Sequence, residues 1–340
     1  MKKIFRDDET VLIKNPSDLY YFSEIKNEDA FIFFYEGQSY YFTDARYFED
    51  VTEKLPEWTI KDANELFDFI LNAKIVKLGI EDDLSHTIRE KLSAECNISE
   101  FYSVNNVIRD ARAIKSEKEI KYIKKAQEIT DKTFKDLLPL IREGITETEL
   151  AGTLESLLYV NGADDLAFTS IVAFNENSSM PHAIRTEKKL ENHSIITLDF
   201  GAKYHNYCSD MTRTIFFGEP NEEYKKIYNL VLTAQEMAIG ISFSGIKAKE
   251  CDMIARRYFK ENDLDKYFLH TLGHGVGIDI HEYPTLSQKC DAIMQDNMIV
   301  TVEPGLYFEK KFGVRIEDMI IFNKSGVINL TKSPKNMIIL

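Results

Sequence analysis

The stretch LDFGAKYHNYCSDMTRTIFF, residues 198–217, reads as a β-hairpin, yet it sets two aspartates, Asp199 and Asp210, where buried strands favour valine. Side chains alternate faces along a strand, so Thr197 and Asp199 share one face while Ile196, Leu198 and Phe200 pack the other. On the returning strand Asp210, Thr212 and Thr214 share a face. The eleven-residue separation of the two aspartates lets them meet across the hairpin.

A second stretch echoes the first. IITLDFG (195–201) resembles MIVTVEPG (298–305), each an apolar strand that ends in an acid and then a glycine, and Glu317 follows Glu303 fourteen residues on, in GVRIED. Four carboxylates would converge on one point. Like charges held a few ångströms apart in a partly buried site cannot all stay ionised without counter-charge, which two divalent cations supply. The segment LHTLGHGVGIDIHEYP (269–284) adds His270, His274 and His281 among Gly273, Gly275 and Gly277, which permit close backbone approach. A single catalytic zinc takes three protein ligands, so four acids and an imidazole fit a two-metal site better.

The whole sequence sets the frame for this site. At roughly 150 residues per domain, 340 residues predict two domains. A composition of 44% hydrophobic and 29% charged residues is that of an ordinary globular protein, and the net charge of -14 argues against nucleic acid or an anionic membrane as partner. Acids at Asp7, Asp8 and Glu9 interrupt any signal-peptide pattern, and no window reaches the roughly 18 apolar residues of a membrane helix. The expected compartment is the cytoplasm. Cys96, Cys208, Cys251 and Cys290 lack close-paired spacing and read as reduced thiols.

The chain reads as α/β throughout. Residues 30–48 predict two strands broken at Glu36-Gly37 and running into a helix, and KIVKLGIED predicts another strand, so the first 115 residues form a mixed α/β domain. Ser116 with Glu119 is a capping-box pattern that opens a long amphipathic helix, for which Gly144 suits the C-terminal end, and Thr146 with Glu149 opens the next. Helices near 221–240 and 248–262 then separate the hairpin from a strand-rich tail.

Taken together, YFTDARYFED, IKSEKEIKYIKKA, SIVAFNENSSMPHA, LDFGAKYHNYCSDMTRT, GHGVGIDIHE, EPGLYF and GVRIED, in that order, resemble the M24 "pita-bread" metallopeptidases, in the branch of Xaa-Pro aminopeptidases and prolidases. The resemblance implies a creatinase/prolidase-like N-terminal domain over residues 1–115 and a pita-bread α+β catalytic domain over 116–340. It assigns Asp199, Asp210, His274, Glu303 and Glu317 as ligands of two divalent ions, with Asp210 and Glu317 bridging. It places His182 and His281 beside the substrate, with Arg315 and His270 supporting the ligands from behind.

The implied chemistry is peptide-bond hydrolysis by water activated between the two ions, with Glu303 shuttling the proton to the leaving nitrogen. Oxygen-rich ligation favours Mn²⁺, with Co²⁺ or Zn²⁺ able to substitute. Expected partners are short peptides with proline in second position, and a second copy of the chain in a homodimer. Where the prolidase branch often carries an arginine four residues after His281, this chain has Thr285, so an Xaa-Pro aminopeptidase is the expectation. Lys289 or another basic residue could instead hold a dipeptide's carboxylate, which keeps the dipeptidase reading open. A non-catalytic peptide-binding module is the remaining alternative, and it would lack several of these ligands.

Overall fold

A computed structural model describes residues 3–340. The chain divides into two compact units, Met1–Arg112 and Ala113–Leu340. The first is built on a six-stranded mixed sheet, formed by β1 (Val11–Ile13), β2 (Phe31–Tyr35), β3 (Gln38–Thr43), β4 (Thr59–Asp62), β5 (Lys77–Ile80) and β6 (Glu100–Ser103), in the order β4-β3-β2-β1-β5-β6. The β2–β3 hairpin turns at Glu36 and Gly37, both with positive φ, as the break in the apolar pattern predicts. One face of this sheet buries Leu12, Phe33, Phe42 and Leu78. Trp58 packs edge-on against Phe34 and Tyr41.

The second unit opens with the helix Glu117–Leu137. Its capping box is complete, with Ser116 N–H donating to Glu119 Oε2 at 2.9 Å and Glu119 N–H donating to Ser116 Oγ at 3.4 Å. The helix stops earlier than Gly144 implies: Pro139 cannot continue the α-helical ladder, and the chain passes through a 3₁₀ turn at Leu138–Leu140. Gly144, at φ 79°, instead lies in the turn that leads to the next helix, Glu147–Val160, capped reciprocally by Thr146 and Glu149. Two further helices, Glu222–Gly240 and Ala248–Glu261, fall where the periodicity puts them.

The strands of this unit are β7 (Asp165–Leu166), β8 (Ile171–Phe174), β9 (Ser194–Phe200), β10 (Ala202–Tyr204), β11 (Tyr207–Cys208), β12 (Met211–Phe217), β13 (Gly273–Gly275), β14 (Glu282–Leu286), β15 (Ile299–Val302), β16 (Gly305–Phe308), β17 (Phe312–Arg315), β18 (Asp318–Asn323) and β19 (Gly326–Asn329). They form two principal sheets, β8-β9-β12 and β14-β13-β15-β18-β19. The sequence echo has a counterpart in the topology. β9 pairs antiparallel with β12 and β15 with β18, and each pair is joined through a smaller hairpin, β10–β11 in one and β16–β17 in the other.

Apolar faces of the first two helices of this unit cover β8, β9 and β12, with Phe134, Leu154 and Leu198 fully or almost fully buried. The other two helices cover the five-stranded sheet, with Val231, Phe259 and Val300 at its centre. Each such side chain contributes about 1.5–3 kcal/mol by leaving water. These two cores press the inner strand faces toward the acidic residues.

Candidate metal centre

Five elements converge on the site. Asp199 lies near the end of β9, directly opposite Thr212 on β12, while Asp210 immediately precedes β12. His274 is the middle residue of β13, Glu303 follows β15, and Glu317 sits between β17 and β18. Crowding at these positions demands glycine. A Cβ on Gly201 would lie 1.8 Å from the Ser209 carbonyl oxygen, and one on Gly273 would lie 2.0 Å from that of Thr301.

The structure brings four of the five expected ligands into one cluster. One ligand atom each of Asp210, His274 and Glu317 lie within 4.8 Å of one another. His274 Nε2 is 3.6 Å from Asp210 Oδ2 and 3.3 Å from Glu303 Oε1. Its Nδ1 lies 3.2 Å from the Gly275 carbonyl oxygen, so that nitrogen donates and Nε2 is turned toward the acids.

Asp199, the fifth, is held from one side by Arg315, whose Nη2 donates to Oδ2 at 2.6 Å. Asp199 Oδ1 and Glu317 Oε1 are buried without a hydrogen-bond partner. A buried carboxylate oxygen left this way is costly. An imidazole lone pair aimed at carboxylates is likewise unfavourable unless a cation or proton stands between them. The donor set of four acids and one imidazole therefore fits divalent cations.

Electrostatics support the same conclusion. Burial pushes the Asp210 carboxyl well above its usual range, and the neighbouring charges of Glu317, Asp199 and Glu303 add to the rise. Glu317 is raised well above its usual value by burial and by Glu303 and Asp199. Burial raises Asp199 too, against the opposing charge of Arg315. Glu303 behaves oppositely: burial is outweighed by the hydrogen bond and charge of His274, which bring it to about 2. His274 is raised because its contact with Glu303 outweighs desolvation. Carboxylates crowded together out of water thus call for positive charge between them.

Supporting residues tie the cluster together. Thr212 Oγ1 donates to Glu317 Oε2 at 2.7 Å and accepts from Arg315 Nε at 2.9 Å. Arg315 Nη1 reaches the Tyr307 hydroxyl at 2.7 Å, and that hydroxyl lies 2.9 Å from His270 Nε2. Since His270 Nδ1 faces the Thr271 carbonyl, Nε2 accepts from Tyr307, and burial keeps the imidazole below its usual pKa. Thr301 Oγ1 accepts from the His274 amide and donates to Glu303.

His281 is exposed at the rim, its ring 4.3 Å from that of His274, and desolvation of the inner part together with His274 lowers its pKa. His182 is exposed in a turn, near enough that its charge lowers both His270 and His281. His86, His193 and His205 are exposed.

Sequence reasoning missed Thr212, Thr301 and Tyr307. Thr212 was legible as a polar residue on the face shared by Asp210, and Tyr307 stands within EPGLYF. Nothing local marks Thr301 as the hydroxyl that joins two ligands.

A two-unit chain with a buried cluster of carboxylates and imidazole, held by paired strands, defines a metal-dependent hydrolase. The model of metallopeptidase family M24 matches residues 121–324, and that of the creatinase/prolidase N-terminal domain matches residues 6–114. The chain belongs to metallopeptidase family M24. It is 38% identical to a protein named Xaa-Pro dipeptidase from Pyrococcus furiosus over 96% of this chain and 94% of that one. It superposes on a structure described as Xaa-Pro dipeptidase from Bacillus anthracis with a TM-score of 0.94 at 36% identity, covering 98% of this chain and 95% of that one. A structure described as X-Pro aminopeptidase from Thermotoga maritima matches with a TM-score of 0.91 at 32% identity, over 98% and 97% of the two chains. Among the described residues no helix is long and apolar enough to cross a membrane.

Proposed function

We propose that this metallopeptidase is an Xaa-Pro dipeptidase. The observation that carries the catalytic part is the buried cluster with its unpartnered oxygens, and the names of the relatives from Pyrococcus furiosus and Bacillus anthracis favour dipeptides over longer peptides. This reverses the preference for an aminopeptidase drawn from Thr285.

Asp199, Asp210, His274, Glu303 and Glu317 would hold two divalent cations, Mn²⁺ being the ion best suited to that oxygen-rich set. Such cations, when bound, polarise a carbonyl and acidify water. Glu303, joined to His274 and Thr301 through Oε1, is the group that takes a proton and returns it to the leaving nitrogen. His182 and His281 donate hydrogen bonds to the substrate carbonyl as negative charge develops on its oxygen. Arg315 orients Asp199 and Thr212, and His270 steadies Arg315 through Tyr307.

One observation favours a second reading. Thr285 stands directly opposite His274 across the β13–β14 ladder and offers a hydroxyl where a dipeptide's free carboxylate would be matched by a cation. That favours release of the N-terminal residue from longer Xaa-Pro peptides. The family resemblance further leads us to expect a homodimer, which sedimentation velocity reads directly. The test of the catalytic assignment is Asp210→Asn: proline release from an Xaa-Pro dipeptide should be lost with the fold retained, and retained activity would remove Asp210 from the site.

A further inference from the structure

The segment that carries His182 is anchored at both ends by one carboxylate. Glu147, the first residue of the helix Glu147–Val160, is 0% exposed. Its Oε1 accepts from the Phe174 amide at 2.6 Å, at the end of β8. Its Oε2 accepts from Asn177 Nδ2 at 2.8 Å, from the Thr186 amide at 2.8 Å and from Thr186 Oγ1 at 2.7 Å. All four partners donate, so the group must accept everywhere, which only a carboxylate does. The N-terminus of its own helix offsets the buried charge.

The closure continues inside the segment. Asn177 Nδ2 also donates to the Ile184 carbonyl at 3.1 Å, the Gly313 amide donates to Ser178 Oγ at 2.9 Å, and Arg315 Nη1 reaches the Pro181 carbonyl at 3.2 Å. Downstream of it, the Glu147 and Thr148 amides donate to the carbonyls of Lys188 and Thr186. Residues 174–186 are thus drawn into a closed loop whose tip presents His182, and Glu147 is the point where its entry and exit meet.

We propose that Glu147 is a positioning residue of the hydrolytic reaction, fixing the 174–186 loop so that His182 meets the substrate carbonyl. This rests on the reading of His182 given above. The Glu147 carboxylate bonds to Phe174, Asn177 and Thr186 and so acts through the loop. Glutamine keeps its size but sets an NH₂ donor against donors, and so breaks the clamp without changing volume.

The test is a double-mutant cycle with metal-loaded protein on an Xaa-Pro substrate. Glu147→Gln should lower kcat about 10–100-fold with KM nearly unchanged, as a displaced catalytic group does. It should still bind two equivalents of Mn²⁺. In the His182→Ala background the same substitution should cost less than about threefold, because the two residues act as one unit. An undiminished loss in that background, or activity that falls in step with metal content, overturns the proposal.

If Glu147→Gln does not fold, Asn177→Ala opens the same clamp from its other side and carries the same cycle. If the wild type cleaves no Xaa-Pro substrate, the functional reading falls, and amide exchange tests the clamp on the loop by itself. Faster exchange confined to residues 174–186 in Glu147→Gln supports it, and unchanged exchange there overturns it.

Discussion

The hydroxyl of Thr212 donates to Oε2 of Glu317 across 2.7 Å and accepts from Arg315 Nε at 2.9 Å. One small side chain thereby joins an acid of the cluster to the guanidinium that holds another. Thr212→Val keeps the shape and removes the oxygen, which leaves a buried carboxylate and a buried guanidinium each short of a partner. Stability should fall by about 1–3 kcal/mol in urea unfolding, and Mn²⁺ affinity by about 10–100-fold in titration calorimetry. Wild-type affinity in the variant would detach Thr212 from the site.

Cations that bind the folded cluster and not the unfolded chain should raise its stability, by about 2.7 kcal/mol when free metal is 100-fold above its Kd. Exhaustive chelation should therefore lower Tm, and Mn²⁺ should restore it in a concentration-dependent way. Equal melting temperatures with and without metal would contradict the fit of the unpartnered oxygens Asp199 Oδ1 and Glu317 Oε1 to cations.

The N-terminal unit holds a separate titration. Burial raises the Glu81 carboxyl to about 8, and the charge of Asp18 adds to this against the opposing amides of Lys14 and Asn15, which donate to Oε2 at 2.7 and 2.9 Å. The folded state therefore keeps a proton that the unfolded state loses near its ordinary value of 4.5. Stability from this group is complete below that value and is lost as pH rises toward 8. Urea unfolding of the wild type should show a decline between pH 5 and 9 that is shallower in Glu81→Gln. Parallel curves would rule the group out.

The cysteines give a simple count. Cys96, Cys208 and Cys251 are buried, and burial pushes the Cys208 thiol up to about 12, while Cys290 is partly exposed. A thiol-specific chromogenic reagent at pH 8 should label one residue in the native protein and four after denaturation. Rapid native labelling of a second thiol would show that one of the three buried sites opens.

Much of the site was legible because its chemistry has a period. Asp199 and Asp210 interrupt an apolar strand pattern, and the acid-glycine echo at Glu303 marks the second pair. The capping boxes at Ser116 and Thr146 were equally plain, since the motif is local. What escaped is what depends on distant partners. Arg213 alternates with Thr212 and Thr214 like a solvent-facing residue, yet it is 1% exposed and donates to Asp318 and to the carbonyls of Thr212, Glu317, Ser333 and Pro334. Glu147 reads as a first-turn acid at a helix start, and only the fold brings Phe174, Asn177 and Thr186 to it. The helix end escaped too, because Gly144 carries a C-terminal signal while Pro139 already stops the ladder before it.

The most direct test is release of the N-terminal residue from an Xaa-Pro dipeptide and from the matched Xaa-Pro-Yaa tripeptide, with Mn²⁺-loaded and metal-stripped protein measured in parallel. A dipeptidase should cleave the dipeptide in a metal-dependent way, with the tripeptide cut poorly or not at all. Strong metal-dependent cleavage of the tripeptide would make Thr285 the guide to specificity and the protein an aminopeptidase, and cleavage of neither under any divalent metal would contradict the catalytic reading in favour of a peptide-binding role.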